Sequence, residues 1–374
     1  MNDIYMDHAA TTPINEEVLS AMKEYYNKSY ANPSSLHQSG QEADKAINAA
    51  REKVANLIGA DDESEIIFTS GGTEADNLAI KGVAMALKNK GKHIITSKIE
   101  HHAVLHSCEF LEKHLGFDVS YLDVDENGFV SVEDVEKEIN SDTILISIMM
   151  ANNEIGTIQP IKEIAKVAKK HNVYFHTDAV QAAGQLDIDV NDLNVNLLSL
   201  SAHKFNGPKG VGALYLQKGT KIIPQMSGGA QENKKRASTE NVHGIVGMGK
   251  AAELADDKLD KKKDKLTKLR NMLISGIEKN IDDVILNGPR GDKRLANNIN
   301  FTFRYIEGES ILLNLDMNGV AASSGSACTS GTLDPSHVLL AIGLSEELAH
   351  GSLRLSLDEN NNEEDIAHII EILP

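Results

Sequence analysis

Lys204 closes the segment Ser201-Ala202-His203-Lys204 just beyond an apolar stretch, and Asp178 lies in His176-Thr177-Asp178-Ala179-Val180-Gln181, at the end of the apolar stretch before it. An amine so placed forms a Schiff base with a cofactor aldehyde. A carboxylate beside it keeps a pyridine nitrogen protonated, so that the ring accepts electrons from a substrate carbanion. This is the chemistry of pyridoxal 5′-phosphate (PLP). The pair also has an ordinary reading, because lysines follow strands in many α/β proteins and a strand-end aspartate commonly caps a loop.

Further candidates lie at other strand ends. Ser70-Gly71-Gly72-Thr73-Glu74-Ala75-Asp76 follows Ile66-Ile67-Phe68; two glycines permit close backbone approach, and Thr73 with Asp76 matches a capping box that opens a helix with free N–H groups, an anion site. An ordinary glycine turn with an N-cap fits the same residues. Ser201 and His203 add donors on the same side. His101, in Glu100-His101-His102-Ala103, can lie on an aromatic ring and titrates near neutral pH. The histidine doublet raises a metal reading, but adjacent side chains diverge and no Cys or acidic partner stands at ligand spacing, so no metal is expected. Asn152-Asn153-Glu154-Ile155-Gly156 offers amides at the same edge, or a plain polar turn. Cys328 lies among small residues from Ala321 to Thr332, the setting of an exposed loop thiol, whereas Cys108 in Leu105-His106-Ser107-Cys108 reads as helix packing.

These residues need a frame that brings strand ends together. Strand patterns at 65–70, 93–97, 118–122, 143–150, 173–176, 197–201 and 211–216 alternate with helical stretches such as 74–89, 132–139 and 161–170. Alternation of this kind builds a mostly parallel sheet that binds ligands at the carboxyl ends of its strands. From 244 to about 280 the pattern becomes one long helix, followed by fewer strands and a second, smaller unit. With 374 residues and 41% apolar content the chain can bury a full core in two domains. No run reaches the roughly 18 to 20 apolar residues of a membrane span, and the start shows no basic-then-apolar leader. Two cysteines make neither a disulfide framework nor a zinc site, which fits a reducing cytoplasm. A net charge of -18 opposes direct nucleic-acid binding. The basic run at 258–268 is mixed with acids and reads as the solvated face of the long helix.

Taken in order, Tyr5 to Pro13, Asn32 to Ser35, Thr69 to Asn77, Glu100 to Val104, Asn152 to Gly156, His176 to Gln181, Ser201 to Gly207, Arg236 to Asn241 and Ser323 to Thr332 resemble the PLP-dependent cysteine desulfurases, the subgroup of the nitrogen-fixation and iron-sulfur-cluster enzymes within the class-V aminotransferases. The resemblance runs almost end to end. It implies an α/β chain of the type I PLP-dependent transferase fold: a large domain over 15–255 with a mostly parallel seven-stranded sheet, and a smaller α+β domain from 1–14 and 256–374 carrying a catalytic cysteine loop at about 321–333. It implies a homodimer that converts L-cysteine to L-alanine through a PLP quinonoid and a Cys328 persulfide, then passes sulfur to an acceptor protein of scaffold or thiouridylase type for iron-sulfur assembly or tRNA thiolation. Lys204 would bind the aldehyde, Asp178 the pyridinium nitrogen, Gln181 the ring hydroxyl, and His101 would stack on the ring. Gly72, Thr73, Ser201 and His203 would hold the phosphate, with Thr239 reaching it from the partner subunit. Asn32, Asn153 and Arg354 would hold the substrate, the arginine by a two-pronged ion pair with its carboxylate, and Asn153 would also contact the cofactor.

The chain departs from the family pattern in Gly228-Gly229-Ala230, in Asn233-Lys234-Lys235, in Ser238 where a glycine is usual, and in Asp358 after Ser356-Leu357, also in place of glycine. A Cβ at 238 must either narrow the approach to the neighbouring phosphate or be carried at a compatible φ. The sequence ends at Pro374, without the extension some members use to dock a scaffold, so the resemblance does not name the acceptor. A selenocysteine lyase, another PLP aminotransferase or lyase of this fold, and a catalytically weak partner-binding homologue share most of these features.

Overall fold

The computed structural model describes residues 4–324 and 334–373. A seven-stranded sheet runs in the order Ile66–Thr69, Gly212–Leu216, Leu197–Ser201, Tyr174–Asp178, Thr143–Ser147, His93–Ser97, Asp118–Leu122. Gly212–Leu216 is antiparallel to both its neighbours, and the remaining pairs are parallel. The strands Ile66–Thr69, His93–Ser97, Thr143–Ser147, Leu197–Ser201 and Gly212–Leu216 are buried at every residue, as expected where helices cover both faces of a sheet. The expected strand at 143–150 stops at Ser147; 148–151 leaves the ladder, and Met150 N–H bonds the Asp178 carbonyl at 2.8 Å.

Two helices that the alternation did not announce, Glu16–Asn27 and Gln38–Leu57, pack on the long helix Val242–Asn280. At 39 residues this helix is roughly 60 Å long, and it serves two cores. Ile245, Met248 and Ala252 join the core beneath the large sheet, while Leu266, Leu269 and Leu273 join a second one. That second core lies against a three-stranded antiparallel sheet ordered Ser352–Ser356, Asn298–Phe303, Val284–Leu286. The basic run is not wholly solvated, since Lys262 is 7% exposed. Among the described residues no helix is long and apolar enough to cross a membrane.

The N-terminal segment links the two cores. Ile4–Tyr5 pairs parallel with Val320–Ala321; Ala9 N–H then bonds Ser356 Oγ at 2.8 Å, and Thr12 N–H bonds the His203 carbonyl at 3.0 Å. Residues separated by nearly the whole chain thus meet beside the sheet's carboxyl edge.

Candidate active site

A cavity of about 230 Å³ opens there, and it is lined by Gly72, Thr73, His101, Asn153, Asp178, Gln181, Ser201, His203, Lys204 and Arg354, with Ala9, Ala10, Asp76 and Val180. Strand Leu197–Ser201 runs into a 3-10 turn, Ala202–Lys204, that ends on the lysine. Lys204 Nζ donates to the carbonyls of Ala9 at 2.5 Å and Ala10 at 2.9 Å. Asp178 ends its own strand and accepts from Val180 N–H at 2.9 Å. Burial raises the Asp178 carboxyl to about 6, against the downward pull of the Val180 N–H and the Lys204 charge.

His101 caps helix His102–Leu115, its Nδ1 accepting from Ala103 N–H at 3.1 Å. Burial, then the Lys204 ammonium and the neighbouring histidines, push its pKa down to about 4. The ring is therefore neutral near pH 7, and the cap on Nδ1 leaves Nε2 to carry the proton. Cys108 lies on the same helix, fully buried, with its thiol pushed up by burial and by nearby Glu100. It is a packing residue, as expected.

Helix Gly72–Leu87 starts at Gly71, which supplies no side-chain cap. A Cβ on Gly72 would lie 2.7 Å from Val180 Cγ2, so the backbone approaches the cavity only because this residue is glycine. The expected Thr73–Asp76 capping box does not form. Glu74 takes its place, its Oε2 accepting from Ser70 N–H at 2.7 Å. Asp76 turns inward instead: it is 1% exposed, Oδ1 lies 3.6 Å from His176 Nε2, and no hydrogen bond reaches Oδ1 within the described residues. Burial and the charge of Asp178 hold its carboxyl well above the usual range. His203 Nδ1 meets Thr11 Oγ1 at 3.1 Å; burial, then Lys204 and Lys209, lower its pKa to about 4.

The donor set fits PLP. An uncapped helix start beside Ser201, Thr73 and His203 suits a phosphate; an amine, a buried carboxyl and a neutral imidazole around apolar walls suit the rest of the cofactor. At the rim, Arg354 is 2% exposed and donates from NH2 to Asp7 Oδ1 at 2.7 Å and from NH1 to the Asn153 carbonyl at 3.2 Å. The Asn153 backbone, not its amide, meets the arginine. Gln181 Nε2 donates to the Ala9 carbonyl at 2.9 Å.

Two expected residues, Asn32 and Thr239, are not brought to the cavity in the single chain. Asn32 is exposed, and its Oδ1 closes a turn onto Ser34 N–H at 2.9 Å. Thr239 is exposed and does not line the cavity. Its segment is tied down by Glu232, which pairs with Arg51 at 2.7 Å and accepts from Phe68 N–H, and by Arg236 on Glu74. Ser238 keeps a φ of 95°, and Glu232, Asn233 and Lys234 have φ of 44°, 53° and 64°. The backbone thus holds positive φ at four residues that are not glycine, at a cost of order 1 kcal/mol per residue. Cys328 lies outside the described residues.

Sequence reasoning missed Asp7, Ala9 and Ala10 as partners of Arg354 and Lys204, as well as the buried carboxyls of Asp76 and Glu100. Glu100 carried a usable signal, an acid next to His101 and close to an apolar strand. It is 0% exposed and raised to about 8 by burial, although Ser97 Oγ and Met149 N–H bond it at 2.6 and 3.0 Å. The Asp7–Arg354 contact had none, because its partners are 347 residues apart.

Residues 4–369 match the model of the class-V aminotransferases. The chain is 60% identical over 371 residues to the cysteine desulfurase IscS of Dictyoglomus turgidum, covering 99% of this chain and 93% of the relative. It is 58% identical to the cysteine desulfurase IscS of Methanosarcina thermophila, covering 99% and 91%. Among solved structures, a NifS-like protein superposes with a TM-score of 0.92 at 39% identity, covering 99% of this chain and 97% of the other. A structure of SspA in complex with cysteine gives 0.84 at 40% identity, covering 95% and 99%. The fold is that of the type I PLP-dependent transferases, and the chain belongs to the class-V aminotransferase family, among its PLP-dependent cysteine desulfurases.

Proposed function

We propose that this enzyme converts L-cysteine to L-alanine and retains the sulfur on Cys328 as a persulfide, for delivery to an acceptor protein. One observation carries the reading: Lys204 and Asp178, at the ends of adjacent strands, share a cavity with the guanidinium of Arg354. That combination supplies an amine for the cofactor, a counter-charge for its ring and a cation for an amino-acid carboxylate.

PLP, when bound, supplies an aldehyde for an amine and a ring that takes up an electron pair. Gly72, Thr73, Ser201 and His203 would hold its phosphate, Asp178 would keep its ring nitrogen protonated, Gln181 would meet its hydroxyl, and the neutral His101 would stack on its ring. Lys204, whose Nζ donates to the Ala9 and Ala10 carbonyls, would be the amine that holds the aldehyde, and it is the amine placed to move a substrate proton. Arg354 binds the substrate carboxylate, which competes with Asp7 for the guanidinium, and Asn153 helps to orient it. Cys328 takes the sulfur: the substrate Cβ–Sγ bond breaks, an S–S bond forms, and the thiol proton leaves with the products. Thiol plus cysteine thus gives persulfide plus alanine, with no external oxidant.

We further propose the division into a 15–255 domain and a domain of 1–14 with 256–374, which the switch of the long helix between two cores supports. A homodimer in which Thr239 and Asn32 complete the neighbouring site fits their exposure in the single chain. The test is product analysis of PLP-loaded protein with L-cysteine, L-selenocysteine and other amino acids. L-alanine formed in step with sulfur from L-cysteine supports the reading. Transamination without loss of sulfur, or a strong preference for selenocysteine, overturns it.

A further inference from the structure

Asp358 is buried in the structure at 2% exposure. A lone carboxylate in such a place carries a heavy desolvation cost. Its compensation comes from three distant parts of the chain. Lys262, in the middle of the long helix and itself buried, brings Nζ to 3.0 Å from Asp358 Oδ1, an ion pair off the hydrogen-bonding direction. Asn206 donates from Nδ2 to Asp358 Oδ2 at 2.8 Å. His8 Nδ1 stands 4.0 Å from the same oxygen. Burial opposes the charge, yet Lys262, Asn206 and His8 together hold the Asp358 carboxyl below the ordinary carboxylate range.

Asn206 follows Lys204 by two residues and has a φ of 62°. Its N–H bonds Thr12 Oγ1 at 2.8 Å, and Thr12 Oγ1 in turn donates to the His203 carbonyl at 2.9 Å. Lys204 Nζ reaches the Ala9 and Ala10 carbonyls of the same N-terminal segment. The turn that aims Lys204 is therefore held on one side by residues 9–12 and on the other by Asp358.

We propose that the buried Lys262–Asp358 pair is a positioning device for Lys204, acting through Asn206 to fix the 203–206 turn against the N-terminal segment. The inference rests on the proposed attachment of PLP to Lys204, and its test separates the two. PLP-loaded wild type, Asp358→Ala, Lys262→Met and Asn206→Gly are compared by the visible absorption band of the lysine-bound cofactor, by the pH midpoint of that band, and by the rate of PLP release. Asn206→Gly tolerates the positive φ and removes the side-chain bonds to Asp358 at 2.8 Å and to the Pro13 carbonyl at 3.4 Å, so it remains informative should the buried-charge variants fail to fold. The expected result is a shift of the midpoint by roughly half a pH unit or more, and release up to about tenfold faster, the effect of one lost hydrogen bond. Combining Asn206→Gly with Asp358→Ala should add little to the larger single effect, because both cut one link. A normal band in wild type with unchanged midpoint and release in Asn206→Gly overturns the positioning role, even if thermal stability falls. Absence of the band in wild type would instead overturn the attachment to Lys204.

Discussion

The cavity has a floor and a rim that are built in different ways. Asp178, Lys204 and His101 each follow directly from a parallel strand of one sheet. Their positions are set by local geometry, since strand carboxyl ends of such a sheet share an edge. The rim is assembled from the ends of the chain: Arg354 pairs with Asp7 across 347 residues, and Ser356 Oγ accepts from Ala9 N–H across the same separation. A floor fixed by strand ends suits chemistry that must not move. A rim whose arginine already has a carboxylate partner suits a step that exchanges one anion for another, as substrate entry does.

Substitutions can break that contrast. The largest effect is expected at Lys204, the only proposed cofactor-binding amine: Lys204→Ala should abolish the visible band and lower turnover by at least about a thousandfold. A retained band would place the attachment on another lysine. Asp178→Asn should keep some PLP bound and lower alanine formation by about a hundredfold to a thousandfold, through loss of charge stabilisation of the ring. Rates close to wild type would remove Asp178 from the floor. At the rim, Arg354→Lys keeps the charge and loses the two-pronged geometry, so KM for L-cysteine should rise about tenfold with a smaller change in kcat. If kcat collapses and KM stays constant, the arginine belongs with the floor.

The part of the architecture legible in the sequence was the part written in local periodicity. The strands at 93–97, 118–122 and 197–201 and the helix at 161–170 coincide with the observed elements, and Lys204, Asp178, His101 and Gly72 share one cavity because each lies next to such an element. Long-range polar pairing left no such trace. Lys262 sits in a run of charges that has every local mark of a solvated face, yet Asp358, 96 positions later by their numbering, draws it inside. Asp76 shows the opposite case: three residues after Thr73 it satisfies a local capping pattern, while the helix begins at Gly72 and turns the carboxyl towards His176.

The smallest predicted effect concerns Glu100, beneath the floor. With its carboxyl raised to about 8 by burial from an unfolded value near ~4.3, the folded protein holds a proton that the unfolded chain releases. Its contribution is complete below the unfolded pKa and is lost as pH rises to about 8. His101 and His203, lowered to about 4, act in the opposite sense, since their contribution is lost as pH falls from ~6.5 towards 4. Between ~6.5 and 8 only the carboxyl term among these three changes, amounting to about 2 kcal/mol at most for one group. Glu100→Gln, uncharged throughout, should therefore gain a few degrees in Tm relative to wild type across that interval when the PLP-free proteins are compared. A constant difference in Tm across the interval would mean that Glu100 is ionised in the folded protein.

In the proposed reaction, sulfur leaves L-cysteine for a thiol on the enzyme. The most direct measurement is mass spectrometry of unreduced peptides from PLP-loaded protein after a single turnover with L-cysteine. One added sulfur on the peptide containing Cys328, with Cys328→Ala forming almost no alanine, is the predicted result. Sulfur on the Cys108 peptide, or full alanine formation by Cys328→Ala, would contradict the account.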